Sequence, residues 1–371
     1  MRLAIIVPGG VDRSGTHRVI PCLLWLIERL ARSHDVQVFA LYQEPHAATY
    51  PLCGATIHAV ARRFARLNAV LAVLREHRRQ SFDLIHAFWA LPPGVLAAFV
   101  GVVTRRPVLL HLAGGELQAL TDIGYGGRLT WRGRFQVRVA LWGANRITAA
   151  TPGMARDAGG LGVTAQQLVL GVDLKRWPAI PPRERPSGRP ARLIHVASLN
   201  RVKDQATLLR AIARLRDGGV SLHLDIVGQD TLNGVVQRLA SSLGLDECVT
   251  FHGFLPHDDL QPLMARADLH VMSSRHEGGE VVTLEAAVCG LPTVGTRVGH
   301  VARWAPDAAV AVAIARPDAL ADGLAQLLDD DAARLRLARE AQRRALADDA
   351  DATASRVNEI YQQMIGVPAG Q

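Results

Sequence analysis

The sequence predicts two doubly wound α/β domains joined by a proline-rich segment. Its 371 residues exceed the usual size of one domain and fit two of roughly 150 to 200 residues. Short, continuous apolar runs alternate with segments of helical periodicity, which is typical of parallel strands covered on both faces. Five prolines between Trp177 and Pro190 interrupt this alternation.

The first domain is predicted over residues 1–177. Its apolar runs last about five residues each, the usual length of a buried strand, and helix-forming segments separate them. The predicted strands of this domain are Leu3–Pro8, Val36–Leu41, Thr56–Val60, Leu84–Phe88, Val108–Leu112 and Arg146–Ala150.

A linker is predicted over residues 178–191, where prolines are dense. The second domain follows over residues 192–345. Residues 346–371 are expected to form a C-terminal helix that returns toward the first domain. The predicted strands of the second domain are Leu193–Ser198, Leu222–Val227, Val249–Phe254, Leu269–Met272, Thr293–Thr296 and Ala309–Ile314.

The composition predicts a globular protein of a reducing compartment. Apolar residues make up 49% of the chain, and its longest uncharged apolar run, residues 87–104, is broken by Pro92 and Pro93, so no transmembrane helix is expected. The N-terminal apolar run breaks at Pro8 and therefore predicts a strand, not a signal peptide. Four scattered cysteines lack the spacing of a zinc site and fit buried thiols in the cytosol.

The formal net charge of +8 is unevenly distributed, because the basic excess lies in the first half. Charge alone leaves nucleotide, membrane and nucleic-acid partners open. No module that reads nucleic acid accompanies the basic residues, so we expect no such partner. A predicted basic helix at residues 61–79 could lie on an anionic membrane or simply pack on the sheet, and a basic-aromatic cluster at residues 128–135 favours the membrane.

Two glutamates eight positions apart, Glu277 and Glu285, bracket a Gly-Gly pair where a predicted strand gives way to a short helix. A helix N-terminus offers unpaired N–H groups and partial positive charge, and glycines let a ligand approach the backbone. A glutamate one turn into the helix can accept hydrogen bonds from ribose hydroxyls. The spacing alone recurs by chance, but this context predicts a site for a sugar nucleotide.

Arg201 and Lys203 lie at the equivalent strand end near the start of the second domain. At this place both side chains can reach phosphate oxygens above the sheet. Lys203 is one of only two lysines in the chain, the other being Lys175. A solvated surface pair is the alternative.

Two further candidates lie at strand ends of the first domain. A loop with Gly9, Gly10 and Gly15 could bring backbone amides to a diphosphate or could merely turn tightly, and it lacks the Gly-x-Gly-x-x-Gly fingerprint, which disfavours an NAD enzyme. His111 and Glu116 could contact a sugar hydroxyl or assist proton transfer. A core histidine is the alternative for His111.

Several features of the chain resemble glycosyltransferase family 4. They are the Glu277 to Glu285 segment, the Cys-Gly-Leu-Pro run after it, the Lys203-Asp204 turn, the two doubly wound halves and the closing helix. These are retaining nucleotide-sugar transferases of the GT-B fold. The resemblance covers essentially the whole chain and is strongest over residues 193–296. It implies two Rossmann-like domains that face a cleft, a donor held mainly by the second domain, an acceptor held mainly by the first, and no metal or cofactor.

Carried over by position, the resemblance makes Glu285 the glutamate that binds ribose and Glu277 the one that faces the transferred sugar. Lys203 matches the family's diphosphate lysine, and Gly10 matches the glycine whose amide reaches the phosphate. The other donor-side positions are Gly278, Gly279, Glu280 and Val281, where the backbone nears the sugar and diphosphate, and Phe254 and Leu255, where the family holds the base.

Three departures from the family pattern are visible. The family's usual arginine falls at Ser198, so Arg201 is expected to compensate. The family often has Phe or Leu and then Pro after its first glutamate and glycine, where this chain has Gly279-Glu280, and this difference bears on sugar choice. In the first domain the family's histidine aligns with Ala113 and its acid aligns with Glu116. The histidine of this chain, His111, lies two residues before the family's position.

The candidate catalytic residues are Glu277, Lys203, Arg201 and His111, with Glu116 on the acceptor side.

The resemblance thus implies a retaining enzyme that moves a hexosyl unit from a UDP- or GDP-sugar to a hydroxyl acceptor. A lipid-linked acceptor, as in cell-surface polysaccharide or glycolipid synthesis, fits a cytoplasmic protein peripheral on the inner face of the membrane. Two alternatives stay open, a noncatalytic GT-B-like subunit that binds nucleotide and a sugar-nucleotide epimerase. Ala113 and Ser198 favour the noncatalytic subunit, whereas Glu277, Lys203 and Glu285 oppose it.

Overall fold

In the computed structural model, which describes residues 1–186 and 188–366, the chain forms two compact units. The first unit comprises Met1–Asp173 and the C-terminal segment that starts at Asp348, and the second comprises Leu174–Ala347. Each unit has its own largely parallel sheet, so the predicted α/β fold class is confirmed. The predicted linker includes Ser187, and the predicted C-terminal helix includes residues 367–371, which lie outside the described residues.

The sheet of the first unit has the strand order β3-β4-β2-β1-β5-β6-β7-β8. All pairings are parallel except that of β3 with β4. Every residue of β1 is buried, as expected for a central strand covered on both faces. The strands are β1 (Arg2–Val7), β2 (Asp35–Ala40), β3 (Ala48–Leu52), β4 (Ala55–Ala59), β5 (Leu84–Phe88), β6 (Val108–Leu112), β7 (Arg146–Ala149) and β8 (Gln166–Gln167).

The antiparallel strand β3 was not predicted from the sequence. It forms a hairpin with β4 through Cys53 and Gly54, whose φ angles of 52° and 77° are those of a primed two-residue turn. Pro51 is tolerated because β3 is an edge strand. The two-residue β8 also lacks an apolar run and was missed for that reason.

Five helices connect the strands of the first unit. Helix α2, α3 and α4 contribute buried side chains to one core cluster, which also contains the residues that the sheet presents on that face. A kinked turn at Ala90–Gly94, in which Leu91 has an extended backbone, precedes α3. The helices are α1 (Pro21–Leu30), α2 (Ala65–Arg79), α3 (Val95–Thr104), α4 (Trp131–Trp142) and α5 (Pro152–Gly159).

The second unit has a wholly parallel sheet with the order β11-β10-β9-β12-β13-β14. Its strands are β9 (Ala191–Val196), β10 (Leu222–Val227), β11 (Val249–Gly253), β12 (Leu269–Met272), β13 (Thr293–Thr296) and β14 (Ala309–Val312). Its helices are α6 (Gln205–Asp217), α7 (Val235–Ser242), α8 (His257–Arg266), α9 (Val281–Val288), α10 (Gly299–Trp304), α11 (Pro317–Asp329) and α12 (Asp331–Ala347).

The described part of the proline-rich segment packs on the second unit along its length. The Ile180 amide donates to the Val288 carbonyl at 2.9 Å, and the Gln342 side chain donates to the Ile180 carbonyl at 2.7 Å. Arg189 forms an ion pair of 2.6 Å with the buried Asp268. The segment predicted as a linker is therefore anchored to the second unit, because its carbonyls and arginines find partners there.

The last helix, α13 (Ala350–Ile365), belongs to the first unit and packs on α1. Arg29 of α1 is buried and forms ion pairs with Asp351, at 2.6 Å, and with Asp173, at 3.1 Å. Tyr361 and His86 of β5 share a buried hydrogen bond of 2.7 Å. Arg29 thereby links the exposed Asp351 of α13 to the buried Asp173, and together with the Tyr361 hydrogen bond this holds α13 on the first unit.

Candidate functional site

The carboxyl ends of β9 and β12 lie where the strand order of the second sheet reverses. Strand β9 has β10 on one side and β12 on the other, so the chain leaves these two strands in opposite directions. In open α/β sheets the crevice at such a point is the usual place for a ligand. The two loops that border it, residues 197–204 and 273–280, carry most of the predicted donor-side residues.

Lys203 and Glu277 form an ion pair across these two loops. The distance from Lys203 Nζ to Glu277 Oε1 is 2.5 Å, and the side chains are 23% and 9% exposed. Ser274 Oγ donates a second hydrogen bond of 2.5 Å to the same oxygen. The two residues are 74 positions apart in the chain and meet because β9 and β12 are neighbours. The lysine therefore lies at the crevice with its charge held in place and partly open to solvent.

Further hydrogen bonds tie the two loops together behind this ion pair. The Arg275 amide donates to the Val202 carbonyl at 2.7 Å, and Ser273 Oγ donates to the Lys203 carbonyl at 2.8 Å. The Lys203 amide donates to Asn200 Oδ1 at 3.1 Å. Because the backbone around Lys203 is fixed on both sides, its ammonium group is positioned before any ligand arrives.

Glu280, at the N-terminal end of α9, is buried close to Glu277. Its Oε1 accepts hydrogen bonds from the His300 amide, at 2.9 Å, and from Thr283 Oγ1, at 3.1 Å. Its Oε2 has no hydrogen-bond partner. Burial, followed by the neighbouring Glu277 carboxylate, raises the pKa of Glu280 to about 8. The side chain is therefore largely uncharged at neutral pH and leaves Glu277 as the counter-ion of Lys203.

Gly299, the first residue of α10, packs against both carboxylate side chains. A Cβ atom at this position would lie 1.9 Å from Glu280 Oε2 and 2.7 Å from Glu277 Cβ, and φ is +54°. Only glycine fits such a contact and such a backbone conformation. Gly299 was not singled out in the sequence, since it follows a different strand and lies 19 positions beyond Glu280.

Glu285 lies on α9 and is held by two aromatic residues that the sequence did not indicate. His257 Nε2 donates to Glu285 Oε1 at 2.8 Å. The His257 ring packs on Trp177, with 4.2 Å between centroids, and Trp177 Nε1 donates to the Glu285 carbonyl at 3.2 Å. One signal was available: His257 follows the predicted base-binding pair, Phe254 and Leu255, by two residues.

The other donor-side candidates lie in the same loops or in the one before α8. Arg201 and Ser198 are exposed in the loop after β9. Phe254 is 51% exposed and Leu255 is half-buried between β11 and α8. The positions next to Glu277 on the chain are a buried Gly278, a half-buried Gly279 and, at the start of α9, a half-buried Val281.

In the first unit, the amide of Gly10 already has a partner. The amides of Gly10 and Val11 donate to Gln43 Oε1 at 2.8 and 3.0 Å, and Gln43 Nε2 donates to Asp12 at 3.1 Å. Gly10 has φ of +84°, and a Cβ there would lie 2.6 Å from the Ile20 side chain. A contact between this amide and a diphosphate therefore requires exchange with the glutamine oxygen.

His111 and Glu116 lie at and just beyond the end of β6, and both are buried. His111 Nδ1 shares a hydrogen bond of 2.9 Å with Thr148 Oγ1, and burial lowers the pKa of His111 to about 3, so the ring is neutral. Glu116 Oε1 accepts from the Ala113 amide at 3.1 Å, and burial raises the pKa of Glu116. His111 Nε2 and Glu116 Oε2 have no hydrogen-bond partner.

Neither a metal-binding cluster nor a membrane-spanning helix occurs among the described residues. Within residues 1–186 and 188–366, no group of three or more His, Cys, Asp or Glu side chains could hold a metal ion. Over the same ranges, no helix is long and apolar enough to cross a membrane.

Comparison with known proteins identifies the family of this chain. Residues 19–172 match the family model described as a glycosyl transferase 4-like domain, and residues 178–344 match the one described as glycosyl transferases group 1. Glycogen synthase of Mycobacterium tuberculosis is 32% identical over 344 residues, which cover 89% of this chain and 80% of that protein. The chain belongs to glycosyltransferase family 4.

The fold is shared with solved structures over nearly the whole chain. Sucrose-phosphate synthase from Thermosynechococcus elongatus has a TM-score of 0.82 at 18% identity, and the matched region covers 99% of this chain and 100% of that one. The Anabaena protein HepE, solved with UDP-glucose, has a TM-score of 0.77 at 18% identity, and the matched region covers 98% of this chain and 100% of that one. The GT-B fold of a family 4 glycosyltransferase is thus confirmed for this chain.

Proposed function

We propose that this glycosyltransferase moves a hexosyl unit from a UDP- or GDP-sugar to a hydroxyl acceptor and retains the configuration at the anomeric carbon. The observation that carries the proposal is the Lys203–Glu277 ion pair at the crevice of the second sheet. It combines a fixed cation, suited to a diphosphate, with a carboxylate that can accept hydrogen bonds from sugar hydroxyls. HepE, a fold neighbour, was solved with UDP-glucose, which supports a nucleotide-sugar donor.

Each donor-side residue has a role in this proposal. Lys203 and Arg201 neutralise the diphosphate, the group on which charge develops as the sugar leaves, and the N-terminus of α9 adds its partial positive charge. Glu277 binds the transferred sugar, and Glu285 binds the ribose, oriented by His257. The remaining contacts are assigned to Ser198, Gly278, Gly279, Glu280 and Val281 around the sugar and diphosphate, and to Phe254 and Leu255 around the base.

The proposed reaction needs no protein nucleophile. The bond from the anomeric carbon to the diphosphate oxygen breaks while the acceptor oxygen bonds to the same face of that carbon. The acceptor proton passes to the leaving diphosphate oxygen, which acts as the base. Because Lys203 and Arg201 supply positive charge beside this oxygen, we propose that the reaction is independent of metal ions.

The acceptor side is proposed in the first unit. The unpartnered His111 Nε2 and Glu116 Oε2 support this, since buried polar atoms usually find a partner and a ligand hydroxyl could provide one. Gly10 of the same unit is assigned to the donor diphosphate, which would have to displace Gln43 Oε1 to accept a hydrogen bond from its amide. We propose a hydroxyl acceptor, including a lipid-linked sugar as used in cell-surface polysaccharide or glycolipid synthesis.

A cytoplasmic location is proposed from the thiols. None of the four cysteines forms a disulfide bond, and two of them, Cys22 and Cys289, are buried. Cysteines that remain as thiols are typical of reducing compartments.

A panel of sugar nucleotides tests the donor proposal. The cognate donor should raise the melting temperature by mass action, because a ligand at a hundred times its Kd adds about 2.7 kcal/mol of stability. It should also be turned over slowly to nucleoside diphosphate. Glu285→Ala should abolish both effects, whereas Glu247→Ala, at an exposed glutamate of the same unit, should preserve them.

The same assay separates the two alternatives. A noncatalytic subunit would show the thermal shift without release of nucleoside diphosphate. An epimerase would change the donor sugar without any acceptor, and chromatography of the recovered donor would reveal the change. Absence of a shift with every UDP- and GDP-sugar would contradict the donor proposal itself.

A further inference from the structure

Helices α2, α3 and α4 lie side by side on one face of the first sheet. Their inward residues, among them Ala69, Val73, Val100, Val137 and Leu141, enter one core cluster with residues of the strands. Helix α3 contacts both of the others. The outer sides of the three helices therefore form one continuous surface of the first unit.

This surface carries an unusual share of exposed apolar side chains. The apolar side chains of α2 divide into two groups. Ala65, Ala69 and Val73 are buried in the core and the half-buried Val70 and Leu74 pack against it, whereas Leu67 and Leu71 are exposed. Scattered exposed apolar residues are normal, but a contiguous group marks an interaction site. The group consists of Phe64, Leu67 and Leu71 around α2, Phe99, Val102 and Val103 on α3, and Trp131, Phe135 and Trp142 on α4, each more than half exposed.

The charge of the same surface is almost wholly positive. Glu76 is the single acidic residue in segments 61–79, 95–106 and 128–142, and it is half-buried and paired with Arg2 and Arg79. Arg63 lies over the Phe64 ring at 5.3 Å, and Arg132 lies over the Trp131 ring at 5.4 Å. The exposed arginines are Arg62, Arg63, Arg66, Arg75, Arg78, Arg79, Arg105, Arg132, Arg134 and Arg138.

We propose that this basic-aromatic face, formed by the outer sides of α2, α3 and α4, docks the protein on an anionic membrane surface. Aromatic and aliphatic side chains enter the boundary between headgroups and acyl chains, while the arginines reach lipid phosphates through their long stems. Binding at the surface, without a span of the bilayer, agrees with the lengths of α2, α3 and α4, which at 15, 10 and 12 residues are too short to cross the hydrocarbon core.

The composition of the face favours a bilayer over other occupants. Exposed Leu67, Leu71, Val102 and Val103 are aliphatic, so they cannot stack on bases as a nucleic-acid platform would require. A second copy of the same face would bring two sets of arginines together without acidic partners, which costs electrostatic energy. Lipid phosphates supply the missing negative charge, and acyl chains accept the apolar side chains.

The inference does not rest on the proposed transfer reaction. If both hold, the face brings the acceptor unit to lipid-linked hydroxyls. Because docking is measured without any sugar nucleotide, loss of membrane binding and loss of transfer are separate results.

Sedimentation with vesicles tests the inference. The full chain is mixed with vesicles of phosphatidylcholine alone or with one third phosphatidylglycerol, at low and at high salt. We expect sedimentation with the anionic vesicles, partial release by salt and no sedimentation with neutral ones.

Two variants divide the contributions of charge and apolar contact. Arg132→Gln, Arg134→Gln and Arg138→Gln together should weaken vesicle binding roughly a hundredfold, at about fivefold for each arginine near the surface. Leu67→Ser, Leu71→Ser and Phe135→Ser together should remove the binding that survives high salt. The matched control combines Val235→Ser with Arg210→Gln and Arg339→Gln, all exposed residues of the second unit, and should bind like the unaltered protein.

Three results would overturn the inference. One is equal binding to neutral and anionic vesicles, and another is equal loss with the control variant. The third is occupation of the face by another partner in the absence of vesicle binding. It would be seen as concentration-dependent dimerisation, or as RNA binding, that the variants of this face abolish. Unchanged melting temperatures of all variants exclude unfolding as the cause of any loss.

Discussion

Lys203 Nζ lies 2.5 Å from Glu277 Oε1, although the two residues are 74 positions apart in the chain. The contact exists because β9 and β12 are neighbours at the point where the order of the second sheet reverses. Ser274 Oγ donates a hydrogen bond to the same carboxylate oxygen. The ammonium group is thereby fixed at the crevice in which the donor diphosphate is proposed to bind.

Removal of this ammonium group should impair the reaction more than the fold. We expect Lys203→Ala to lower kcat/KM roughly a hundred- to a thousandfold, the usual effect of losing one preorganised group that stabilises developing charge. Steady-state release of nucleoside diphosphate measures it. Lys175→Ala removes the only other lysine, which is exposed, and should leave kcat/KM within about twofold. Equal effects of both variants would show that the position of Lys203 is unimportant.

The buried Glu280 should make stability fall as pH rises. Its pKa is about 8 in the folded protein against 4.5 ordinarily, so between these values the folded state binds a proton that the unfolded state has lost. The free energy of unfolding should therefore decrease by up to about 1.4 kcal/mol per pH unit in this window and level off above it. Below pH 4.5 the side chain is protonated in both states and contributes no slope.

Glu280→Gln keeps the shape of the protonated acid and should remove this slope. Calorimetric melting temperatures at pH 5, 7 and 9 measure the difference between the variant and the unaltered protein. Glu247→Gln, at an exposed position, is the control and should leave the pH dependence intact. A parallel pH dependence of Glu280→Gln and the unaltered protein would mean that Glu280 titrates normally.

Gly299 should be intolerant of a side chain because of the carboxylates beside it. Gly299→Ala adds a Cβ at 1.9 Å from Glu280 Oε2 and at a positive φ. Gly219→Ala is the matched control, since its φ is +84° but no atom lies within 4 Å of the added Cβ. We expect Gly299→Ala to lower the melting temperature more than the control does.

The variant Glu280→Ala should recover part of the loss caused by Gly299→Ala, because it removes the carboxylate that the new Cβ meets. A double-mutant cycle on melting temperature and donor affinity measures this coupling. Strict additivity of the two substitutions would place the cause of the loss elsewhere than in the Glu280 contact.

His257 should act through Glu285 on donor binding. Loss of its hydrogen bond to a charged partner in His257→Ala should raise KM for the donor about tenfold or more, with a smaller change in kcat. His257→Gln, which can still donate, should recover part of the affinity. His223→Ala removes a half-buried histidine of β10 that is hydrogen-bonded to Thr250 of β11, and it serves as the control. A fall in kcat alone would assign His257 to the reaction step rather than to binding.

The fold was predictable because continuous apolar runs report buried parallel strands directly. Strand β3 was not, since it is a half-exposed edge strand with a proline and depends on the turn at Cys53 and Gly54. The composition of the proline-rich segment indicates a linker. Its carbonyls and arginines nevertheless bond to the second unit, which no local pattern reports.

The candidate site likewise contains some residues that local sequence indicates and others that only long-range contacts bring together. The positions of Lys203 and Glu277 after strand ends, and of Glu285 on the helix that follows, could be inferred from local sequence, whereas their roles in binding stay predictions. His257, Trp177 and Gly299 act through contacts across long separations in sequence, and the burial of Glu280 depends on where α10 begins. The partner of the Gly10 amide, Gln43, lies after a different strand and could not be inferred.

The anomeric configuration of the transferred sugar directly tests the proposed retention at the anomeric carbon. Proton NMR of the product, recorded at early times with the cognate α-linked nucleotide sugar and an accepted hydroxyl compound, gives the coupling constant of the anomeric proton. We expect an α-linked product, formed by the unaltered protein and formed roughly a hundred- to a thousandfold more slowly by Lys203→Ala. A β-linked first product would contradict it, because inversion requires attack from the opposite face of the sugar.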